Sequence, residues 1–229
     1  MACRDAPTGL VRIAGHQSAG RGRLDRQWRD LPGAGLAVSV VWRADQPPQR
    51  WGWLSLLTGQ AVAQGLRDIG RAAGLDEQQV RLKWPNDVLI GGQKVCGVLA
   101  QTDGDKAVLG WGLNVTAVPE DLPDATSLRD AGWPTDATAV TAAVLARLEV
   151  CLTNWSKGQD MRASYGALSA TLGALVRVQG ASMSDQQSAG TWEGRALGLS
   201  YSGALLVETL DGPTVSVEAG DVQQLRRLG

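Results

Sequence analysis

Residues 80–101 read VRLKWPNDVLIGGQKVCGVLAQ, and this stretch decides the fold. Its apolar runs at 80–84, 88–90 and 95–101 are short, which predicts three strands. Gly91-Gly92 predicts a tight hairpin turn between the last two strands, because glycine accepts the positive φ that such turns demand. Pro85, Asn86 and Asp87 predict a turn between the first two, because Pro presets φ and Asn and Asp bond to nearby backbone.

The same pattern continues on both sides of this stretch. Further strands are predicted at 10–14, 34–42 and 107–113. Residues 53–70 carry apolar side chains at helical spacing, which predicts a helix with one inward face. A second helix is predicted from the apolar spacing between Val140 and Trp155, with Asp136 as its N-cap.

The pattern of predicted elements changes after about residue 172. Short strands are predicted at 176–179, 191–199, 204–209 and 214–218, with Asp211-Gly212 as a hairpin turn. Short strands at close spacing are typical of a small β-barrel or sandwich. We therefore predict an α+β body with a mixed β-sheet and helices over residues 1–172, followed by a small β domain over residues 173–229.

Composition restricts the classes of function. The chain has 229 residues, 44% of them hydrophobic and 20% charged, with a formal net charge of −1. This balance offers no general attraction to nucleic acid or anionic lipid, so we expect neither as a partner. No apolar run approaches the roughly 20 residues of a membrane span and no signal-peptide pattern is found, so we expect a cytoplasmic protein. Three widely spaced cysteines make neither a zinc pattern nor a disulfide framework.

The first candidate for chemistry is residues 20–28, GRGRLDRQW. They are not a P-loop, since no Gly-Lys-Ser/Thr follows, and not a dinucleotide fingerprint, since Asp25 stands where the third glycine belongs. Flexible glycines interleaved with Arg21, Arg23 and Arg26 can close over an anion, because guanidinium groups suit phosphate and carboxylate. The alternative is a solvated basic loop between strands.

Three other segments are weak signals when taken singly. Residues 83–87 could aim Asn86 and Asp87 at a site, or could be a plain turn. Lys94 follows a hairpin and Gly97 would let a ligand lie against the sheet, although a surface lysine and a packing glycine are equally common. Residues 110–114 place two glycines and Asn114 in and after one strand, which indicates close approach by a ligand or a bend of the sheet.

In this order and spacing, these segments resemble the catalytic domain of bacterial biotin protein ligases of the monofunctional type, without a DNA-binding domain. The resemblance covers nearly the whole chain and implies a class II synthetase-like catalytic domain followed by a small SH3-like β-barrel. It implies that ATP and Mg²⁺ activate biotin as biotinyl-5'-AMP. Biotin then passes to a lysine of the biotin carboxyl carrier domain of acetyl-CoA carboxylase. The sequence leaves the oligomeric state open.

The resemblance also implies roles for individual residues. The catalytic residues would be Lys94, Arg23 and Asp87. The residues that would bind biotin are Gln17, Gly20, Arg21, Gly22, Arg23, Lys94, Gly97 and Leu99. The residues that would bind ATP are Arg21, Arg23, Arg26, Trp28, Lys83, Asn86 and Asn114.

The sequence departs from the family pattern in two places. The family's Ser-Thr-Asn motif, which contacts the ureido ring of biotin, is not found before Gln17, and Gln101 stands where the family usually has Glu. A catalytically impaired remnant that binds biotin or its adenylate is therefore the alternative, and it would show no biotin-dependent pyrophosphate exchange. A lipoate ligase would carry an Arg-Arg-x-Ser-Gly-Gly-Gly loop that this chain lacks, and a nucleic-acid-binding protein would show steep salt dependence.

We expect residues 20–26 to be mobile without ligand and ordered with it, because a glycine-hinged loop can exclude water from a reactive anhydride. Limited proteolysis should therefore cut this loop, and biotin with ATP should protect it. Identical cutting with and without the two ligands would contradict this expectation.

Overall fold

The computed structural model describes residues 5–23, 26–179, 190–218 and 221–225. The three helices are α1 (Trp53–Ala72), α2 (Ala137–Ser156) and α3 (Arg162–Gly166). The first eight strands are β1 (Val11–Ala14), β2 (Gly20–Arg21), β3 (Gln27–Trp28), β4 (Gly35–Arg43), β5 (Val80–Lys83), β6 (Asp87–Ile90), β7 (Gln93–Asp103) and β8 (Lys106–Asn114). The remaining strands are β9 (Leu175–Gln179), β10 (Thr191–Leu199), β11 (Leu205–Thr209), β12 (Thr214–Val217) and β13 (Asp221–Gln224).

The body is built on a six-stranded sheet in the order β1-β4-β8-β7-β6-β5. All five strand pairs are antiparallel. Isolated parallel bridges, Leu82 to Ser169 and Lys94 to Ala125, join two further segments of the chain to β5 and β7 of this sheet. Gly91 and Gly92 form the β6–β7 turn with φ values of 58° and 85°, as the sequence predicts.

Helix α1 covers one face of this sheet, and α2 packs on α1. Gly59 of α1 lies against Leu82 and Val98, which are buried sheet residues. Asp136 begins α2 as predicted, because its carboxylate accepts hydrogen bonds from the backbone N–H groups of Thr138 and Ala139 at 2.9 and 3.1 Å. The sheet and the two helices thus form layers around one hydrophobic core.

Helix α2 corrects one expectation. By length and composition it is apolar enough to cross a membrane, although no apolar run of that length is predicted from the sequence. One side of the helix contacts α1, and its buried residues are Val140, Thr141, Val144, Leu148, Cys151, Leu152 and Trp155. In this structure the apolar side chains of α2 therefore contribute to the protein core.

The second sheet has five antiparallel strands in the order β12-β11-β10-β9-β13. Val176, Val178, Leu205 and Val207 are fully buried, and they belong to the same hydrophobic cluster as the core of the body. The sequence predicts four of its strands but not β13, which is short and polar. Helix α3 was likewise not predicted, and the small β2–β3 hairpin lies in the glycine- and arginine-rich segment 20–28, where no strand was predicted. The division at residue 172 stays a prediction.

The contact between α1 and α2 depends on Gly65. A Cβ atom there would lie 2.9 Å from the backbone nitrogen of Val144, whereas a Cβ at Gly59 would lie 3.6 Å from the flexible end of Leu82. We expect Gly65→Ala to lower the free energy of unfolding by about 1–3 kcal/mol because of overpacking. Gly59→Ala should leave it unchanged or raise it by about 0.5–1 kcal/mol through helix propensity. Urea unfolding measures both, and equal effects would contradict this packing.

Candidate active site

A cavity of about 430 Å³ lies on the sheet face opposite α1. Successive strand residues point to opposite faces, so Val98 faces the helix while Gly97 and Leu99 face the cavity. The cavity walls come from the loop before β2, the β2–β3 hairpin, strands β4, β7 and β8, and residues 83–87, which we call the catalytic turn. Its volume suits a small organic ligand.

The floor of the cavity is almost free of side chains. Gly97 of β7 pairs directly with Gly112 of β8, and Leu99 pairs with Gly110. The indole of Trp28 lies on the glycine pair: a Cβ at Gly112 would come within 2.4 Å of it, and a Cβ at Gly97 within 3.0 Å. The expected close approach to these glycines is therefore made, in this structure, by a side chain of the same chain.

Lys94 and Asp87 form an ion pair at the rim of this floor. The Lys94 Nζ lies 2.6 Å from Asp87 Oδ1, and the two side chains are 35% and 18% exposed. The Lys94 ammonium also lies 5.8 Å from the centroid of the Trp28 ring, within cation–π range. Burial raises the pKa of the neighbouring Cys96 thiol, and this effect outweighs the Lys94 charge, which lowers the pKa, and the smaller effect of the Asp87 charge, which raises it. Cys96 thus stays a neutral thiol beneath the ion pair.

Residues 20–26, which we call the flap, begin in the β2–β3 hairpin. The Gly22 N–H donates to the Arg26 carbonyl at 2.7 Å, and the Arg26 N–H donates to the Arg23 carbonyl at 3.1 Å. Arg21, Arg23 and Arg26 all line the cavity, as do Gly22 and Gln17. Gly20 packs against the Trp28 backbone, where a Cβ would lie 2.6 Å from the carbonyl oxygen. Leu24 and Asp25 lie outside the described residues.

The catalytic turn connects β5 to β6 and lines the cavity along its whole length. Asn86 forms two hydrogen bonds with β7. Its side-chain amide donates to the Val98 carbonyl at 3.2 Å, and its backbone carbonyl accepts from the Val98 N–H at 2.8 Å. These bonds hold the turn against β7. The predicted residues Lys83 and Asn86 therefore lie at the cavity, although the Asn86 amide already serves the backbone.

Gly20 and Asn114 are the predicted ligand residues that do not line this cavity. Gly20 packs against Trp28, whereas Asn114 is buried at the end of β8. Its side chain is 4% exposed, and its amide donates to the Thr126 carbonyl at 3.1 Å. The Thr126 N–H in turn donates to the Lys94 carbonyl at 2.9 Å, and the Lys94 N–H donates to the Asp124 carbonyl at 2.8 Å. Asn114 thus supports the segment that fixes the backbone of Lys94.

Some residues at the cavity were not predicted. Ser39 of β4 pairs with Gly110 across the floor, and its position as the one polar residue in the run LAVSVVW was the signal that could have found it. Gln101, noted in the sequence only as a departure from the family, also lines the cavity. Val222 reaches the cavity from β13 of the second sheet. No signal pointed to Val222, since its strand was not predicted.

Comparison with known proteins agrees with this architecture. Residues 1–114 match the Biotin/lipoate A/B protein ligase family, and residues 186–224 match the Biotin protein ligase C terminal domain. The chain is 40% identical over 222 residues to the Biotin--[acetyl-CoA-carboxylase] ligase of Mycobacterium tuberculosis, covering 95% of this chain and 80% of that protein. The chain belongs to the biotin protein ligase family.

Other relatives extend the comparison of this biotin protein ligase family member. The Bifunctional ligase/repressor BirA of Bacillus subtilis is 34% identical over 93% of this chain, which spans 65% of that protein's length. The structure of the Aquifex aeolicus biotin protein ligase in complex with biotin and ATP superposes with a TM-score of 0.77 at 27% identity. That match covers 97% of this chain and 91% of the Aquifex chain, so it includes both sheets.

The packing of Trp28 on the floor can be tested in this ligase with two glycine variants. Gly112→Ala should displace the indole, whereas Gly110→Ala should not, because a Cβ there would have no neighbour closer than 3.4 Å. We expect either change to alter the free energy of unfolding by less than about 1 kcal/mol if only the β2–β3 hairpin moves.

The measurement is fluorine NMR of protein labelled with 5-fluorotryptophan. The chain has nine tryptophans, so Trp28→Phe is needed to assign the Trp28 signal. The Trp28 resonance should shift in Gly112→Ala and stay in place in Gly110→Ala. An unchanged resonance in Gly112→Ala would show that the indole does not rest on the floor.

Proposed function

We propose that this chain joins biotin to ATP, forming biotinyl-5'-AMP and pyrophosphate, and then transfers biotin to a lysine of a biotin carboxyl carrier domain of acetyl-CoA carboxylase. The single observation that carries the proposal is the charge of the cavity. Its described lining contains one carboxylate, Asp87, and five cationic side chains, namely Arg21, Arg23, Arg26, Lys83 and Lys94. The named activity of the relatives favours this enzyme over a remnant that only binds biotin.

The first step needs this excess of positive charge. The biotin carboxylate attacks the α-phosphorus of ATP, and pyrophosphate leaves, so two anions must meet. Fixed cations hold them together and stabilise the charge that develops in the transition state. We assign this role to Lys94 at the rim of the floor and to Arg23 on the flap. Arg21 and Arg26 would bind the same anions from the flap side.

Asp87 serves the second step in this proposal. An approaching phosphate competes for the Lys94 ammonium, which weakens the ion pair and leaves the carboxylate able to accept a hydrogen bond from the carrier lysine. The lysine amine then attacks the biotin acyl carbon, an amide bond forms and AMP leaves. Asp87 orients the amine, so loss of this carboxylate should slow transfer more than it weakens nucleotide binding.

The remaining predicted contacts follow from the cavity walls. Gln17, Gly97 and Leu99 would bind biotin along the floor, with Gly20 and Gly22 allowing the flap backbone to approach it. Trp28 would pack against adenine, which requires the indole to leave the glycine pair when biotin occupies the floor. Lys83 and Asn86 would lie near the nucleotide, and the Asn114 contact to ATP would be indirect, through Lys94.

Magnesium would enter with the nucleotide. Among the described residues no cluster of three or more potential metal-ligating side chains exists, so this part of the chain has no separate metal cage. Mg²⁺ is commonly held by substrate phosphates, water and one or two carboxylates, and Asp87 fits such a site. When bound, the ion neutralises phosphate charge. We also propose a cytoplasmic site of action, because the reaction consumes ATP.

The roles of the two cations can be tested separately from folding. We expect Lys94→Ala or Arg23→Gly to lower the rate of biotin-dependent pyrophosphate exchange by about 10²–10³-fold, the usual cost of removing a group that stabilises transition-state charge. Lys157→Ala, which removes an exposed lysine after α2, is the control and should keep the wild-type rate. Adenylate formation at the wild-type rate in both site variants would refute the proposed mechanism.

A further inference from the structure

The second sheet contacts the body through the turn between β10 and β11, residues 200–204, which we call the docking turn. Two buried tryptophans of the body donate their indole N–H groups to carbonyls of this turn. Trp53 at the start of α1 donates to the Tyr201 carbonyl at 2.9 Å, and Trp84 of the catalytic turn donates to the Gly203 carbonyl at 3.3 Å. The docking turn therefore bonds both to the helix layer and to the active site.

The docking turn fits closely because of glycines on both sides. Gly203 has a φ of 91°, and its missing side chain leaves room for the backbone of Gly52 and Trp53. A Cβ at Gly52 would lie 2.6 Å from the Ser202 carbonyl oxygen. The turn is also braced internally, since Ser200 Oγ accepts from the backbone N–H groups of Ser202 and Ala204 at 3.2 and 3.1 Å. It is thus a rigid partner for both indoles.

Trp84 is held from a second direction by the segment that leads to the second sheet. Its backbone N–H donates to Thr171 Oγ1 at 2.9 Å, and Thr171 is 1% exposed. The preceding strand β5 bonds to the same segment, because the Leu82 N–H donates to the Leu168 carbonyl and the Ala170 N–H donates to the Leu82 carbonyl. The position of Trp84, the second residue of the catalytic turn, is therefore set by the segment 168–171, which leads to the second sheet.

Asp87 ends this turn, three residues after Trp84, and pairs with Gly97 at the floor. Its carboxylate must lie within hydrogen-bond distance of the Lys94 ammonium, and the observed separation is 2.6 Å. Small displacements of a turn move its last side chain, and misplacement of a catalytic group by about 1 Å can cost roughly 10²-fold in rate.

We propose that Trp84 is a positioning residue of the ligase: its indole N–H, bonded to the Gly203 carbonyl, sets where Asp87 meets Lys94, so docking of the second sheet fixes the geometry of this ion pair. The inference rests on the proposed function and deepens it. In this proposal the second sheet influences the transfer step through the hydrogen bond between the Trp84 indole and the Gly203 carbonyl.

Trp53 provides the matched control. Trp84→Phe and Trp53→Phe each remove one indole N–H from the same docking turn, but only Trp84 belongs to the catalytic turn. We expect Trp84→Phe to lower kcat for biotin transfer to the carrier by about 5- to 100-fold. The KM values for biotin and ATP should change less than about twofold, because the variant keeps the cationic side chains that bind the two substrates. Trp53→Phe should keep the wild-type kcat.

A double-mutant cycle separates positioning from general loosening. If Trp84 acts through Asp87, adding Trp84→Phe to Asp87→Asn should lower transfer by less than about twofold further, since coupled residues are not additive. Multiplicative losses, or equal losses in Trp84→Phe and Trp53→Phe, would overturn the inference. If Trp84→Phe does not fold, Thr171→Val applies the same test, because it removes the acceptor of the Trp84 backbone N–H. Absence of pyrophosphate exchange in the wild-type protein would instead refute the proposed function.

Discussion

The site depends on one row of residues across the main sheet. Antiparallel pairing places Asp87 of β6 opposite Gly97 of β7, Gly97 opposite Gly112 of β8, and Gly112 opposite Ala37 of β4. A carboxylate at one end is therefore followed by two residues without side chains and one methyl group. This row creates a trough in a sheet surface that side chains would otherwise cover. A slip of one residue in any pair would turn these positions toward α1 and abolish the trough.

The trough explains why the cationic groups lie at its edges. Lys94 reaches the trough from the start of β7, and the arginines of the flap line the same cavity. Positive charge therefore surrounds a row of residues that carries no positive charge. A ligand with an anionic group at one end and an apolar body can then lie flat on the glycines with its charge at Lys94. The Asp87–Lys94 ion pair keeps the lysine in place before any anion arrives.

Much of this arrangement could be predicted from local patterns. The hydrophobic alternation of strands and the Gly91-Gly92 turn depend on neighbouring residues, and the structure confirms them. Asn114 shows where such reasoning ends. It shares strand parity with Gly112, so the pattern places it on the cavity side, but the segment around Thr126 covers that end of β8 and binds the amide. Likewise, Trp28 on the glycine floor and Val222 at the wall are contacts between residues distant in sequence.

The docking turn adds a constraint that no local pattern contains. An active site on a sheet face needs one wall that does not belong to the sheet, and here part of that wall is Val222 of β13. Val222 can form this wall only if the second sheet is held at a fixed distance from the floor of the cavity. The absence of side chains at Gly52 and Gly203 lets the docking turn approach the start of α1 closely, and the two indole hydrogen bonds fix the orientation of this turn. Since one of these bonds belongs to the catalytic turn, the proposed role of Trp84 makes the same contact position both Val222 in the wall and the Asp87 carboxylate.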